Sequence, residues 1–280
     1  MKIDVPIFDS LAHPTPEGSW LHEKYSGRNY FHSVAEGMRQ SGIKWAIACG
    51  MGSKVGGYEE DSYARYARES SLKSQVTFLP VAFWEPARFN FGSLSELKAY
   101  FSGLADLGYV GIKLHPRMAE FNYQDERLPT IIDAANEFGV TPFLCTYTWG
   151  HGPCSSSSPQ DLMNLLGLIS ESSKVILVHG GGVRLLEYME IARAFPNTLL
   201  DLSLTLCKYP GSSLDLDLQF CFSQFDRRIS IGSDGPEFAP SVLRERFEKF
   251  SDAISEEKKK NIAYRNLFNF LPRAKCFQDE

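Results

Sequence analysis

A set of side chains able to do chemistry follows short apolar runs in this 280-residue chain. Asp9 and His13 follow IDVPIFD, and Glu85 follows VTFLPVAF. Lys113, His115 and Arg117 cluster at the end of VGIKL, and Cys145, Tyr147, Trp149 and His151 at the end of TPFLCT. His179 closes KVILVH, and Asp234 comes just after RISIG. An ionised carboxylate such as Asp234 can take a proton from water, and an imidazole can serve as acid, base or metal ligand. Lys113, His115 and Arg117 form a positive cluster suited to an anionic ligand. An ammonium inside an apolar strand is costly without a partner, so Lys113 is expected to meet a substrate carboxylate or to pair with Glu85 or Asp234. The loop YTWGHGPCSSSS combines Tyr147, Trp149 and His151 with glycines; it suits a lid over a ring or sugar, and equally a loop packed on the strand ends.

The elements that must position these groups are legible as alternating strands and helices. Strands are expected at 3–9, 43–49, 76–83, 110–114, 141–146, 174–179, 197–203 and 228–232. Most are continuously apolar, as strands covered on both faces of a parallel sheet require. Helices are expected at 33–41, 58–71, 125–139, 183–195, 215–225 and 240–250. Two more follow start signals: Ser93 and Glu96 have capping-box spacing, and Ser158, Pro159 and Asp161 supply an N-cap, a first-turn proline and a first-turn acid. About eight strand–helix units in about 250 residues is the arithmetic of a (β/α)8 TIM barrel, with a doubly wound sheet as the alternative. The tail SEEKKKNIAYRNLFNFL predicts an extra C-terminal helix. No shift in composition marks a boundary, so 1–280 reads as a single domain.

Composition narrows the partners. The chain carries 29 Lys and Arg against 34 Asp and Glu, a net charge of -5, without a basic stripe. Nucleic acid and anionic membrane are not expected as partners. No apolar run approaches the roughly 20 residues of a bilayer span, and the N-terminus does not read as a secretory signal. The six cysteines show no CxxC pair, which predicts a reduced, cytoplasmic protein. Barrels of this size often form symmetric dimers, and a homodimer is compatible with the sequence.

The stretches FDSLAHP, GYVGIKLHPR, EFGVTPFLCTYT, KVILVHGGG, ISIGSDGPEF and NIAYRNLFNFL resemble, in order and spacing, the amidohydrolase superfamily, in particular its amidohydrolase 2 branch of metal-dependent TIM-barrel hydrolases and decarboxylases. That family's sites use a first-strand Asp-x-His-x-His, histidines ending the fifth and sixth strands, and an Asp ending the eighth. The resemblance places His13, His179 and Asp234 as metal ligands, with Cys145 as a fourth if its thiolate reaches the ion. Leu11 stands where the first histidine of the pair belongs, and Cys145, or Thr146 one residue on, where the fifth-strand histidine belongs. With Leu11 unable to ligate, the resemblance favours one divalent metal, zinc or manganese, over two.

Each residue also has a plainer reading. His179 is also what a core histidine bonded to backbone looks like, Asp234 a turn or helix cap, Asp9 an orienting group, and Cys145 a small buried hydrophobe. GGG at 180–182 lacks a phosphate-loop context; in the family it lets the backbone pass close to the site. The leading expectation is hydrolysis of a small, anionic amide, ester or lactone. Asp234, His179 and Lys113 would be catalytic, and His115, Arg117, Tyr147, Trp149 and His151 would bind substrate. The alternatives are a metal-independent lactonase or a decarboxylase on the same fold, and a barrel that binds a metabolite without catalysis.

Overall fold

The computed structural model describes residues 5–56, 59–85, 88, 90–147 and 158–278. Eight strands form one sheet in sequential order, every neighbouring pair parallel: β1 (Ile7–Ala12), β2 (Ile43–Cys49), β3 (Thr77–Phe83), β4 (Gly111–Leu114), β5 (Thr141–Cys145), β6 (Val175–Val178), β7 (Thr198–Asp201) and β8 (Ile229–Ser230). The residues just after β8 close the ring onto β1. Ser10 N donates to Ile231 O at 2.9 Å, Asp234 N to Leu11 O at 2.8 Å, and His13 N to Gly235 O at 2.8 Å. The chain is a TIM barrel, and the doubly wound alternative is set aside.

A helix of ten residues or more follows each strand, with short helical turns besides at Pro116–Ala119 and Thr205–Lys208: α1 (Phe31–Gln40), α2 (Glu60–Lys73), α3 (Leu94–Asp106), α4 (Leu128–Glu137), α5 (Pro159–Leu168), α6 (Leu185–Ala194), α7 (Leu214–Gln224) and α8 (Pro240–Ser251). The start signals work as their chemistry dictates. Ser93 caps α3 by accepting from Glu96 N, and Ser158 and Asp161 form a reciprocal capping box at α5. Strand residues alternate between two apolar layers. Ala46, Ala48, Ile112, Leu144 and Leu177 face the helices, while Ile47, Leu79, Phe143, Ile176 and Leu199 fill the barrel. Gly111 makes room in that interior, since a Cβ there would lie 2.5 Å from the Phe143 ring.

The expected extra helix has a definite task. Helical segments α9 (Glu256–Lys260) and α10 (Asn266–Phe270), joined by a π turn at Asn261–Arg265, carry Leu267, Phe268, Leu271 and Ala274 into the interior cluster. Phe268 packs 4.7 Å from the Phe8 ring and edge-on to Trp45 at 5.1 Å, and Trp45 Nε1 donates to Phe277 O at 3.0 Å. Phe8 and Trp45 belong to the early part of their strands, so this segment plugs the amino-terminal end of the barrel. The carboxyl-terminal end is left for chemistry.

The boundaries differ from expectation where the chain leaves the ladder. β1 starts later than residue 3 and runs to Ala12, so Asp9 lies within the strand rather than after it. β7 and β8 are shorter than 197–203 and 228–232, because Leu204 and Asp234 adopt left-handed φ of 63° and 53° and turn the backbone away from strand geometry.

Candidate active site

His13, Lys113, His179 and Asp234 come from four strand ends and are all buried. His13 Nδ1 lies 2.9 Å from Cys49 O, and His179 Nδ1 lies 3.0 Å from Ser203 O. A carbonyl can only accept, so Nδ1 carries the proton in each ring and Nε2 presents a lone pair. His13 Nε2 stands 3.5 Å from Asp234 Oδ1. Burial lowers the pKa of both imidazoles and Lys113 lowers it further, against the opposing pull of Asp234. Burial pushes the Asp234 carboxyl up, but His179, His13 and Lys113 outweigh it and hold the group well below the usual carboxylate range. The side chain of Lys113 is 2% exposed. It forms no hydrogen bond and no ion pair with any described residue, although its charge acts on His13, His179, Asp234, His115 and Cys145.

Backbone strain falls on the same residues. His179 and Asp234 are two of only four described non-glycine residues with positive φ, at 69° and 53°, a conformation held only where the surroundings over-determine it. Three further positive-φ residues, Gly180, Gly181 and Gly182, carry the chain away from His179. A Cβ on Gly181 would lie 2.0 Å from the Tyr188 ring, and its N–H donates to Thr146 Oγ1 at 2.8 Å. Gly181 therefore serves close packing of this turn against Tyr188 of α6.

A buried acid on β7 was missed. Asp201 accepts hydrogen bonds from Ser10, Ser203 and Ser230, and Ser203 Oγ is also 3.1 Å from His179 Nδ1. Asp201 thereby braces the residue that fixes the His179 ring. The signal was present, since NTLLDLS places an acid inside a continuously apolar strand. Asp9 does orient the site: it accepts from Ser233 N at 2.9 Å, Ser233 Oγ at 2.6 Å and Leu11 N at 3.2 Å. Burial pushes its carboxyl up to about 7 despite those bonds. Trp20, also missed, lies 5.1 Å from the His13 ring.

The fourth and fifth strand ends make a second group. Burial raises the Cys145 thiol, but His115, Lys113 and the Tyr147 backbone N–H more than offset it and bring the thiol down to about 7. Cys49, Cys207 and Cys221 are instead pushed up to about 12 by burial. His115 is buried, its pKa lowered by burial and then by Lys113 and Arg117 despite Cys145. Tyr147 meets the His179 ring edge-on at 6.1 Å, and its hydroxyl is 3.2 Å from that of Tyr209. Trp149 and His151 lie outside the described residues. Glu85 does not reach Lys113: it accepts from Ser53 N and Oγ at 2.7 and 3.0 Å. Nor do Lys113 and Asp234 form an ion pair within 4 Å; the expected pairing of the lysine is not made among the described residues.

No family model matches the chain, and neither does any curated protein. Solved structures do. The TIM-barrel protein Bb4693 from Bordetella bronchiseptica is 20% identical, with 97% of this chain and 100% of that one covered at a TM-score of 0.77. An amidohydrolase II structure is 13% identical, covering 95% and 99% at 0.62. A manganese-bound mutant of 5-carboxyvanillate decarboxylase from Novosphingobium aromaticivorans is 14% identical, covering 96% and 98% at 0.62. The chain shares its TIM-barrel fold with these structures over nearly its whole length.

The resemblance implied a divalent metal held by the strand-end residues. Two imidazoles with Nδ1 fixed by carbonyls and a carboxylate are sound donor chemistry. Their placement is not: among the described residues no three His, Cys, Asp or Glu side chains converge to hold an ion. Leu11 is buried in the apolar interior, and Cys145 faces His115. Lys113 adds a positive charge beside His13, His179 and Asp234, which opposes a second cation there. As placed, His13, His179, Asp234 and Cys145 do not fit a divalent metal.

Proposed function

We propose that this amidohydrolase-fold barrel hydrolyses a small anionic ester or lactone, with Lys113 supplying the positive charge at the reacting carbonyl. The observation that carries this reading is Lys113, a lysine buried at the barrel mouth whose ammonium makes no hydrogen bond or ion pair with a described residue. Such a group costs stability unless a ligand repays it. A carbonyl oxygen that becomes negative on attack is that ligand. Asp234 takes the proton from the attacking water, and the Nε2 lone pairs of His13 and His179 accept hydrogen bonds that orient it. Arg117, whose buried Nε has no hydrogen-bond partner, holds the acidic end of the substrate. Amides remain within reach of the same groups, and decarboxylation would use the same cation to hold the carboxylate that leaves.

A panel of anionic aryl esters and lactones, assayed before and after exhaustive chelation, tests the reading. Turnover should survive chelation and fall by about a thousandfold in Lys113→Met. The same substitution should leave stability within about 1.5 kcal/mol, because it keeps the packing of the stem. Turnover that chelation abolishes and zinc or manganese restores would return the metal-dependent reading. Release of carbon dioxide from aromatic acids in place of ester cleavage would favour decarboxylation.

A further inference from the structure

The hydrolytic reading leaves Cys145 and His115 without a task, yet they stand side by side. In the β4–β5 pairing Lys113 is opposite Phe143 and Leu114 opposite Leu144. One residue further on, the same register brings His115 and Cys145 out side by side at the ends of neighbouring strands, both buried. Tyr123 Oη donates to Cys145 O at 2.8 Å and pins that strand end. His115 is 7% exposed, and its buried Nδ1 has no hydrogen-bond partner. Lys113, two residues before it, is equally uncommitted among the described residues. A thiol, an imidazole and an ammonium thus share one buried corner of the barrel mouth.

We infer that Cys145 is a covalent nucleophile, with His115 as its proton acceptor and donor and Lys113 facing the substrate oxygen that becomes charged. This rests on the hydrolytic reading and adds a step to it. The Cys145 thiol passes its proton to His115 as its sulfur bonds to the substrate carbonyl carbon. The carbon–oxygen bond to the leaving alcohol then breaks, and that oxygen takes the proton from His115, leaving a thioester. Water attacks the thioester and gives one proton to Asp234. The carbon–sulfur bond breaks, the acid is released, and the thiolate recovers through His115 the proton that Asp234 took from the water, so that all three groups return to their starting states. The lowered thiol pKa agrees with this assignment, and so does the contrast with Cys49, whose Sγ donates to Gly50 O at 3.3 Å.

Mono-4-nitrophenyl succinate, an anionic activated ester, is a suitable probe. Asp234→Asn protein should release about one equivalent of nitrophenolate per chain in a burst. It should then carry a succinyl group on the Cys145 peptide that hydroxylamine removes. Cys145→Ser in the same background should show no burst. Iodoacetate should alkylate Cys145 at least about tenfold faster than Cys207 or Cys221, and His115→Phe should remove that preference. Turnover without any adduct, full turnover by Cys145→Ser, or a Cys145 no more reactive than Cys207 would each overturn the inference. Selective labelling of Cys145 in a protein that cleaves no ester or lactone would keep the reactive thiol and sink the hydrolytic reading, so the two fail separately.

Discussion

His13 Nε2 and Asp234 Oδ1 face each other at 3.5 Å across the seam where β8 closes onto β1. The Nδ1–H of His13 is committed to Cys49 O, so an imidazole lone pair meets a carboxylate. Such a pair is satisfied by a shared proton or by a polar molecule between the two groups. Asp234→Asn should therefore cut turnover by about a thousandfold while leaving the far-ultraviolet spectrum intact. Both imidazoles have lowered pKa values, which Asp234 partly raises. The acid limb of the pH profile should lie below the ordinary histidine value of 6.5 and move lower still in the residual activity of Asp234→Asn. An acid limb that does not move would remove Asp234 from contact with the histidines.

Asp201 acts through Ser203, which sits beside His179 Nδ1. Asp201→Asn cannot accept all three serine hydroxyls and should cost about 2 kcal/mol in urea unfolding. It should also lower kcat by about tenfold with little change in KM, since it loosens the ring rather than the substrate contacts. Ser203→Thr, which keeps the hydroxyl, should retain most of the kcat of the unsubstituted chain. A variant that is less stable with unchanged kcat would make Asp201 purely structural.

Asp9 sets a pH dependence of stability. Its carboxyl is raised from 3.8 to about 7 in the folded protein, chiefly by burial. Between those values the native state holds a proton that the unfolded chain has released, so stability falls as pH rises through this window. Above about 7 the loss is complete, at about 4 kcal/mol. Asp9→Asn keeps an acceptor for the Ser233 and Leu11 N–H groups and cannot ionise. Its stability advantage over the unsubstituted chain should grow between pH 4 and pH 7, measured by urea unfolding at several pH values. A constant difference would show that Asp9 does not titrate in that window.

The carboxyl-terminal plug should be separable from the chemistry. Phe268→Ala empties space between Phe8 and Trp45 and should cost about 3–5 kcal/mol of stability. The site lies at the other end of the barrel, so turnover per folded molecule should be unchanged. Loss of activity in proportion greater than loss of folded protein would tie the two ends together.

The barrel was legible because its signals are local. Four strands carry apolar runs of four residues or more, WAIAC in β2, FLPVAF in β3, PFLC in β5 and VILV in β6, and the caps at Ser93 and Ser158 act within their own helices. His13, Lys113, His179 and Asp234 could be selected because polar groups ending apolar strands share one rim. Partners across the barrel could not. Glu85 was one of two acids expected to pair with Lys113, yet it turns toward Ser53. Asp201 escaped notice because its partners come from β1, β7 and β8, which only ring closure brings together.

By itself the sequence determined which elements form and which reactive groups they deliver to the carboxyl ends, because period, capping and strand order are properties of neighbours along the chain. Only the tertiary structure decided how those groups are shared out. Lys113 was left unpaired among the described residues, His115 was set against Cys145, and Asp201 was tied to His179 through Ser203. Those contacts depend on barrel closure and inward stagger, which place residues far apart in sequence within a few ångströms of one another.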